Sequence, residues 1–389
     1  MRQSGRSRVL IRTQPLGHNY GGLMQAYALQ TAIRKLGYEV DTDRSRVEAD
    51  ADRAPRSGLK FRLRRAFYAA RPWVWPKPLL LDEAKFVSDT DLRTFARNRI
   101  QTVALLTHGR RPKRRLIEKY SSFVVGSDQV WRPLYSHVPS ALFAFLPADL
   151  PVRRLSYAAS FGTDDSSEYP SELRDRTRGL AQLLDAVSVR EPSGAALARE
   201  IWGVDGAEWH VDPTMLLERS DYDELTSAGG SDELPIVSYV LDRTSVKDSV
   251  SALIEETLGA RTYSLTRPFP DLKTFNADPG KFRNPAVESW LSSIRNARLL
   301  VTDSFHGCVF ATLFHTPFIV VPNPERGLDR ITTLLNLLDL QSRLVDVSAG
   351  ADPAEQVAQA LASTIDWDAV DRTIARERAR GYAYLRENL

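Results

Sequence analysis

The chain has 389 residues, 43% hydrophobic and 26% charged, a globular composition that excludes a disordered or fibrous protein. No apolar run approaches the roughly 18 residues of a membrane span. Val9-Leu10-Ile11 is cut off by Arg12 before it can act as a signal-peptide core, and a single cysteine excludes an internal disulfide or a cysteine-cluster metal site. The net charge of +3 hides an asymmetry, because residues 1–115 carry 25 Lys/Arg against 10 Asp/Glu and the remainder carries 27 against 39. These features read as a cytoplasmic protein with one basic surface.

In chain order, Arg8–Thr13 reads as a strand and His18-Asn19-Tyr20-Gly21-Gly22 as a breaker. Leu23–Leu36 has helical apolar spacing stopped by Gly37, and Tyr38–Val40 returns as a strand, completing a βαβ unit. Residues 44–80 form an irregular basic insertion rich in Pro and Trp, followed by an amphipathic helix at Lys85–Ile100. From residue 120 strands at Ser122–Val125, Arg154–Ala159 and Ala186–Arg190 alternate with helices at Ser171–Leu184 and Ser193–Ile201. After the turn-rich Ser227–Glu233 the alternation restarts. Strands are expected at Ile236–Leu241, Thr262–Leu265, Arg298–Thr302, Phe318–Val321 and Arg343–Val347, and helices at Ser245–Leu258, Val287–Asn296, Gly307–His315 and Leu328–Leu338. The expected fold is α/β, with two Rossmann-like domains of parallel sheet, 1–205 and 206–389, around a central cleft. The last helix is placed to pack back on the first domain.

In such sheets ligands bind beyond the carboxyl ends of strands, so the loops after strands hold the candidate chemistry. His18–Gly22 with Gln25 offers paired glycines before a helix, suited to close backbone approach to a ligand and equally to a plain tight turn. Gly126-Ser127-Asp128-Gln129-Val130-Trp131 sets hydrogen-bonding groups beside an apolar wall, a pattern for a polyol, with helix capping by Ser127 or Asp128 as the other reading. Arg190 ends a buried strand, where its planar fork suits a carboxylate or phosphate. An ion pair with Glu191 is the alternative, although neighbours on an extended strand point to opposite faces. Thr302-Asp303-Ser304-Phe305-His306-Gly307 opens a helix, and the next strand leads to Asn323, Arg326 and Arg330. Ser304, His306, Gly307, Asn323, Arg326 and Arg330 thus form an anion-binding set. GxxxxGK[ST], GxGxxG after the first strand, GxSxG and HExxH are all absent. His306 and His315 stand nine apart, about 180° round a helix, so they cannot share a metal. Cys308 reads as a small buried helix residue.

Six segments in order, His18–Gln30, Val125-Gly-Ser-Asp-Gln-Val-Trp131, Ser156–Gly162, Ser188-Val-Arg-Glu191, Asp212-Pro-Thr214 and Thr302–Gly307, resemble the polysaccharide pyruvyl transferase family. The resemblance implies a GT-B-like arrangement and transfer of pyruvate from phosphoenolpyruvate to two hydroxyls of a sugar, forming a cyclic ketal. It assigns donor recognition to Arg190, His306 and Arg326. The C-terminal domain is then the donor side, and Asn19, Tyr20, Gly21, Gly22, Gln25, Ser127, Asp128, Gln129 and Trp131 of the first domain are acceptor contacts. No metal or separate cofactor is implied. Arg132 departs from the family, many relatives having Asn there, and Cys308 stands where a hydroxyl residue is usual. Donor chemistry agrees, since a carboxylate and a phosphate suit arginines and a helix N-terminus, and protonation of the methylene carbon suits a histidine.

Two other readings share this fold, a nucleotide-sugar glycosyltransferase with Glu325 on the ribose, and a glycan- or membrane-surface binding protein without chemistry. Lys60–Leu81 interleaves Arg62, Arg64, Arg65 and Arg71 with Phe61, Phe67, Trp73 and Trp75. That pattern reads as peripheral contact with an anionic membrane surface, to which a lipid-linked acceptor is attached, or as a solvated basic face with a few aromatics buried at its edge. No nucleic-acid module accompanies the charge.

Overall fold

The computed structural model describes residues 7–45, 81–106, 112–226, 236–266, 269–323, 326–346 and 352–389. Val9, Leu10 and Ile11 are wholly enclosed, as the middle strand of a sheet covered on both faces must be. That strand, β1 (Arg8–Arg12), lies between β2 (Glu39–Asp43) and β4 (Ser122–Val125) in a parallel sheet of order β3-β2-β1-β4-β5, with β3 at Thr102–Val103 and β5 at Arg153–Ser156. The short parallel pair β6 (Ser188–Val189) and β7 (Glu208–Trp209) continues it through bridges from Leu155 to Ala186 and Ala159 to Val189. A second parallel sheet has the order β11-β10-β8-β9, from β8 (Ile236–Tyr239), β9 (Thr262–Ser264), β10 (Leu300–Thr302) and β11 (Phe318–Val320). The architecture is the expected pair of parallel α/β sheets.

Each sheet reverses direction once. In the first the chain leaves β1 toward β2 and β3 and returns on the other side with β4; in the second it leaves β8 toward β9 and returns with β10. A crevice opens at the carboxyl ends of the strands where such a reversal occurs. The loops after β1, β4, β8 and β10 therefore form the natural site.

Apolar packing fixes the halves together. The Tyr20 ring stacks on Trp290 at 4.9 Å and its hydroxyl donates to the Pro285 carbonyl at 2.7 Å, so a residue of the first helix (Tyr20–Lys35) is anchored among those of the second sheet. The last helix, Trp367–Asn388, begins beside His315, whose ring stacks on Trp367 at 4.8 Å. It ends on the first sheet, where the Tyr384 hydroxyl donates to Ser156 O at 2.9 Å and Ser122 Oγ to Leu389 O at 3.1 Å.

Several elements differ from expectation. The first helix starts at Tyr20 because the Asn19 side chain accepts from Gly22 N at 3.3 Å and caps it, so the glycine pair lies in the first turn. Lys85–Ile100 divides into Leu81–Ser88 and Thr90–Arg99 at Asp89, whose carboxylate takes His18 Nδ1 at 3.0 Å and Asn284 Nδ2 at 2.7 Å. Of the expected strand Arg343–Val347, the described residues 343–346 hold only a single bridge from Val320 to Leu344, after a short 3-10 turn at Gln341–Arg343; Val347 lies outside the described residues. The basic stretch 60–81 falls outside the described residues except for Leu81.

Candidate active site

The four crevice loops and the loop after β11 meet around a shared opening. Asn19, Asp128 and Gln129 line it from the first sheet, and Asp303, Ser304, His306, Asn323, Arg326 and Arg330 from the second. Two members of the expected donor set stand apart from it, Gly307 and Arg190. Gly307 is a packing residue, since a Cβ there would collide with the Thr302 side chain.

His306 occupies the first turn of the helix Phe305–Phe314, capped by Ser304, whose Oγ accepts from Gly307 N at 3.4 Å. A helix N-terminus with unpaired backbone N–H groups favours an anion. The imidazole reaches across to the first helix and lies directly over Gly21. A Cβ at Gly21 would stand 2.5 Å from His306 Cγ and 2.7 Å from Cε1, and closer still to Nδ1. Gly21 therefore makes room for the imidazole. Nε2 is enclosed without a hydrogen-bond partner, 3.7 Å from Asp212 Oδ2.

Asp212 is fully buried and accepts from Thr214 N at 3.0 Å, Thr214 Oγ1 at 2.7 Å and Arg190 Nη1 at 3.0 Å. Burial alone would raise its carboxyl, but His306, Arg190 and the Thr214 amide outweigh that and hold it well below the usual carboxylate range. An ionised carboxylate behind an imidazole orients the ring.

Arg190 is no free cation. Its Nε donates to Glu191 Oε1 at 3.0 Å, and Nη2 reaches Asp128 Oδ1 at 3.4 Å, in addition to the Asp212 bond. The Glu191 pair forms despite the alternation of a strand, because Glu191 has already left β6 as the residue preceding the helix Pro192–Trp202. Its guanidinium lies 4.7 Å from the Phe305 ring centroid, beside the His306 turn.

Arg326 faces the opening with both nitrogens on Asp242, Nη2 to Oδ1 at 2.9 Å and Nε to Oδ2. The arginine holds the Asp242 carboxyl down at about 2. Asn323 Nδ2 donates to Asp242 Oδ2 at 2.7 Å and Asp303 Oδ2 at 3.0 Å. Asp303 also accepts from Leu241 N at 2.7 Å and Lys247 Nζ at 2.7 Å, which makes it the anchor of the loops after β8 and β10. Arg330 differs from both other arginines. It is buried, Nε has no hydrogen-bond partner, its nearest carboxylate is Asp128 at 4.0 Å, and Nη2 donates only to the Arg326 carbonyl. Burial, with repulsion from Arg190, lowers this guanidinium to about 10. It is a cation at the opening whose charge is incompletely balanced.

The expected acceptor side is partly corrected. Asn19, Asp128 and Gln129 face the opening, whereas Trp131 packs at right angles on Trp202 at 5.0 Å in the core and forms no wall. Tyr20 is spent on Trp290. Gln25 is buried, its Nε2 donating to Thr13 Oγ1 at 2.7 Å and its Oε1 accepting from Ser127 N at 2.8 Å, and the Ser127 hydroxyl donates to Ala158 O at 2.6 Å. Gly22 sits inside the cap. Sequence reasoning passed over Asp212 and Asp242 as site residues. The first lies in the Asp-Pro-Thr segment and the second in the loop after β8, and either position was a signal. Among the described residues no group of three His, Cys, Asp or Glu is arranged to hold a metal ion.

A family model, polysaccharide pyruvyl transferase, matches residues 19–325. The chain belongs to that family. Members of the polysaccharide pyruvyl transferase family are enzymes of glycan pyruvylation, and Asn19, Asp128, Asp212, Ser304, His306 and Asn323 lie within the matched span, with Arg326 and Arg330 just beyond it. Among solved structures, the chain is similar to UDP-GlcNAc 2-epimerase from Methanocaldococcus jannaschii, with 14% identity over 93% of each chain and a TM-score of 0.47. It is also similar to Acinetobacter baumannii MurG, with 10% identity over 98% of this chain and 99% of that one and a TM-score of 0.42. A spinosyn rhamnosyltransferase complexed with thymidine diphosphate has 15% identity over 98% and 99%, with a TM-score of 0.41. No match was found among curated proteins. Among the described residues no helix is long and apolar enough to cross a membrane.

Proposed function

We propose that the chain transfers pyruvate from phosphoenolpyruvate to two hydroxyls of a sugar in a polysaccharide, glycolipid or lipid-linked glycan, forming a cyclic ketal and releasing phosphate. The observation that carries this reading is Arg330, a buried and incompletely balanced guanidinium at an opening shared with His306 and a capped helix N-terminus. A dianionic donor supplies the missing negative charge. Arg326 contributes a second fork once Asp242 yields one contact, and the amides of the His306 turn take a phosphate or carboxylate oxygen.

His306, protonated with Asp212 behind Nε2, gives a proton to the methylene carbon of the donor. C2 becomes electrophilic and the first sugar hydroxyl adds to it. The C2–O bond to phosphate then breaks and the second hydroxyl closes the ring. Of the two hydroxyl protons lost by the sugar, one replaces that given by His306 and the other leaves with phosphate. The donor carries its own leaving group, so no further cofactor takes part. Asn19, Asp128 and Gln129 face the acceptor. The site acts on the cytoplasmic side, where the basic stretch 60–81 brings it to lipid-linked acceptor.

Incubation of the protein with phosphoenolpyruvate and a panel of bacterial polysaccharides and lipid-linked sugars tests this, by phosphate release and by the mass of the product. A product heavier by one pyruvyl ketal supports it. Stabilisation by a nucleoside diphosphate with none by phosphoenolpyruvate would instead favour a nucleotide-sugar donor.

A further inference from the structure

The opening is lined mainly by polar side chains, yet a pyranose presents an apolar C–H face that needs a flat apolar surface. An exposed aromatic ring that can meet that need is joined through Arg132 to Gln129 of the lining. Tyr135 is exposed, and so is Leu134 beside it. The ring is held from behind, since the Arg132 guanidinium lies 4.8 Å from its centroid. Arg132 is buried and fixed in turn, with Nε and Nη2 on Glu168 Oε1 at 2.9 and 2.8 Å and Nη1 on Gln129 Oε1 at 3.1 Å. Gln129 lines the opening. The backbone is tied as well, for Tyr135 N and Ser136 N both donate to Arg132 O, at 3.0 and 2.9 Å, and Gln14 Nε2 bridges Gln129 O and Ser136 Oγ.

We infer that Tyr135, set in place by Arg132, is the stacking platform for the acceptor sugar. This deepens the pyruvyl-transfer reading and rests on it for the identity of the ligand as an acceptor. The occupant is a pyranose ring of a glycan, because the platform is continuous with the donor opening through Gln129 and pairs an apolar face with adjacent hydrogen-bonding groups. Arg132 has the length for this, spanning from Glu168 to the ring.

Saturation-transfer NMR on the full chain with the methyl glycopyranosides of galactose, glucose, mannose and N-acetylmannosamine tests the inference without an aromatic aglycone that would itself stack. The wild type is expected to saturate the ring C–H protons of at least one glycoside. Tyr135→Ala should weaken that sugar about tenfold or more, Tyr135→Trp should retain it, and Arg132→Asn should weaken it because the ring loses its support. Thermal unfolding checks that each variant is folded, and stabilisation by phosphoenolpyruvate should be unchanged in the Tyr135 variants. Equal sugar signals in the wild type and Tyr135→Ala, or no saturation of any glycoside by the wild type, overturn the platform. Failure of the wild type to bind phosphoenolpyruvate would instead strike the pyruvyl-transfer reading, with the sugar result standing separately.

Discussion

Gly21→Ala isolates the placement of His306 from every other property of the site. The added methyl carbon would lie 2.5 Å from Cγ and 2.7 Å from Cε1 of the imidazole, where carbon atoms in good contact need about 3.5 Å. The ring must retreat by about 1 Å, the difference between those separations. It is walled by Phe305, with centroids 5.2 Å apart, and by Asp212, so it cannot retreat and keep its aim. A misplacement of about 1 Å costs a catalytic group about a hundredfold in rate, or about 2.7 kcal/mol in barrier. Stability should move less, because overpacking costs about 1–3 kcal/mol and alanine regains about 0.5–1 kcal/mol within a helix. Gly22→Ala is the matched control, its nearest neighbour being Asp128 Oδ2 at an ordinary 3.7 Å. Phosphate release from phosphoenolpyruvate with acceptor present gives the rates, and the imidazole region of the 1H–15N spectrum reports the ring. If Gly21→Ala turns over within about threefold of Gly22→Ala, with coincident imidazole resonances, then contact with Gly21 does not place His306.

Three further outcomes are expected. Arg330→Gln should weaken phosphoenolpyruvate binding by about 1.5–3 kcal/mol, read as a lost thermal stabilisation, and should leave the unliganded protein as stable or more so because an imperfectly balanced buried charge is removed. Burial lowers the His210 imidazole from its ordinary 6.5 to about 4, so between those values the unfolded chain binds the extra proton and stability falls as pH falls; denaturant titrations from pH 7 to pH 4 should show a shallower decline for His210→Gln. Cys308 is fully enclosed and burial pushes its thiol up well above the ordinary value, so the native protein should resist iodoacetamide and react only on unfolding.

Regular alternation made the two sheets legible, since β1, β4, β8, β10 and β11 are short apolar runs that nothing but a covered parallel sheet would enclose. The donor loop was legible for a similar reason: Ser304, His306, Asn323, Arg326 and Arg330 follow two adjacent strands and arrive at one opening. What spacing could not reveal was the partner of each group. A Gly-Gly pair looks the same whether it makes room for a phosphate or for an imidazole from the other sheet, and only the tertiary contact of Gly21 decides. Trp131 beside polar residues resembles a sugar wall, yet Trp202 and Phe161, distant in sequence, claim its ring. Arg190 was expected to await an anion, but Asp128 and Asp212, 62 and 22 residues away, neutralise it.

The final helix sets the mechanics of the molecule. At 22 residues it is about 33 Å long, and it is riveted at Trp367 to the end of the helix that begins with Phe305 and His306 and at Tyr384 to the first sheet. A brace of fixed length sets the spacing of the two sheets along its line. The Gly21–His306 contact joins the same two sheets, so the seat of the imidazole depends on the spacing this helix holds.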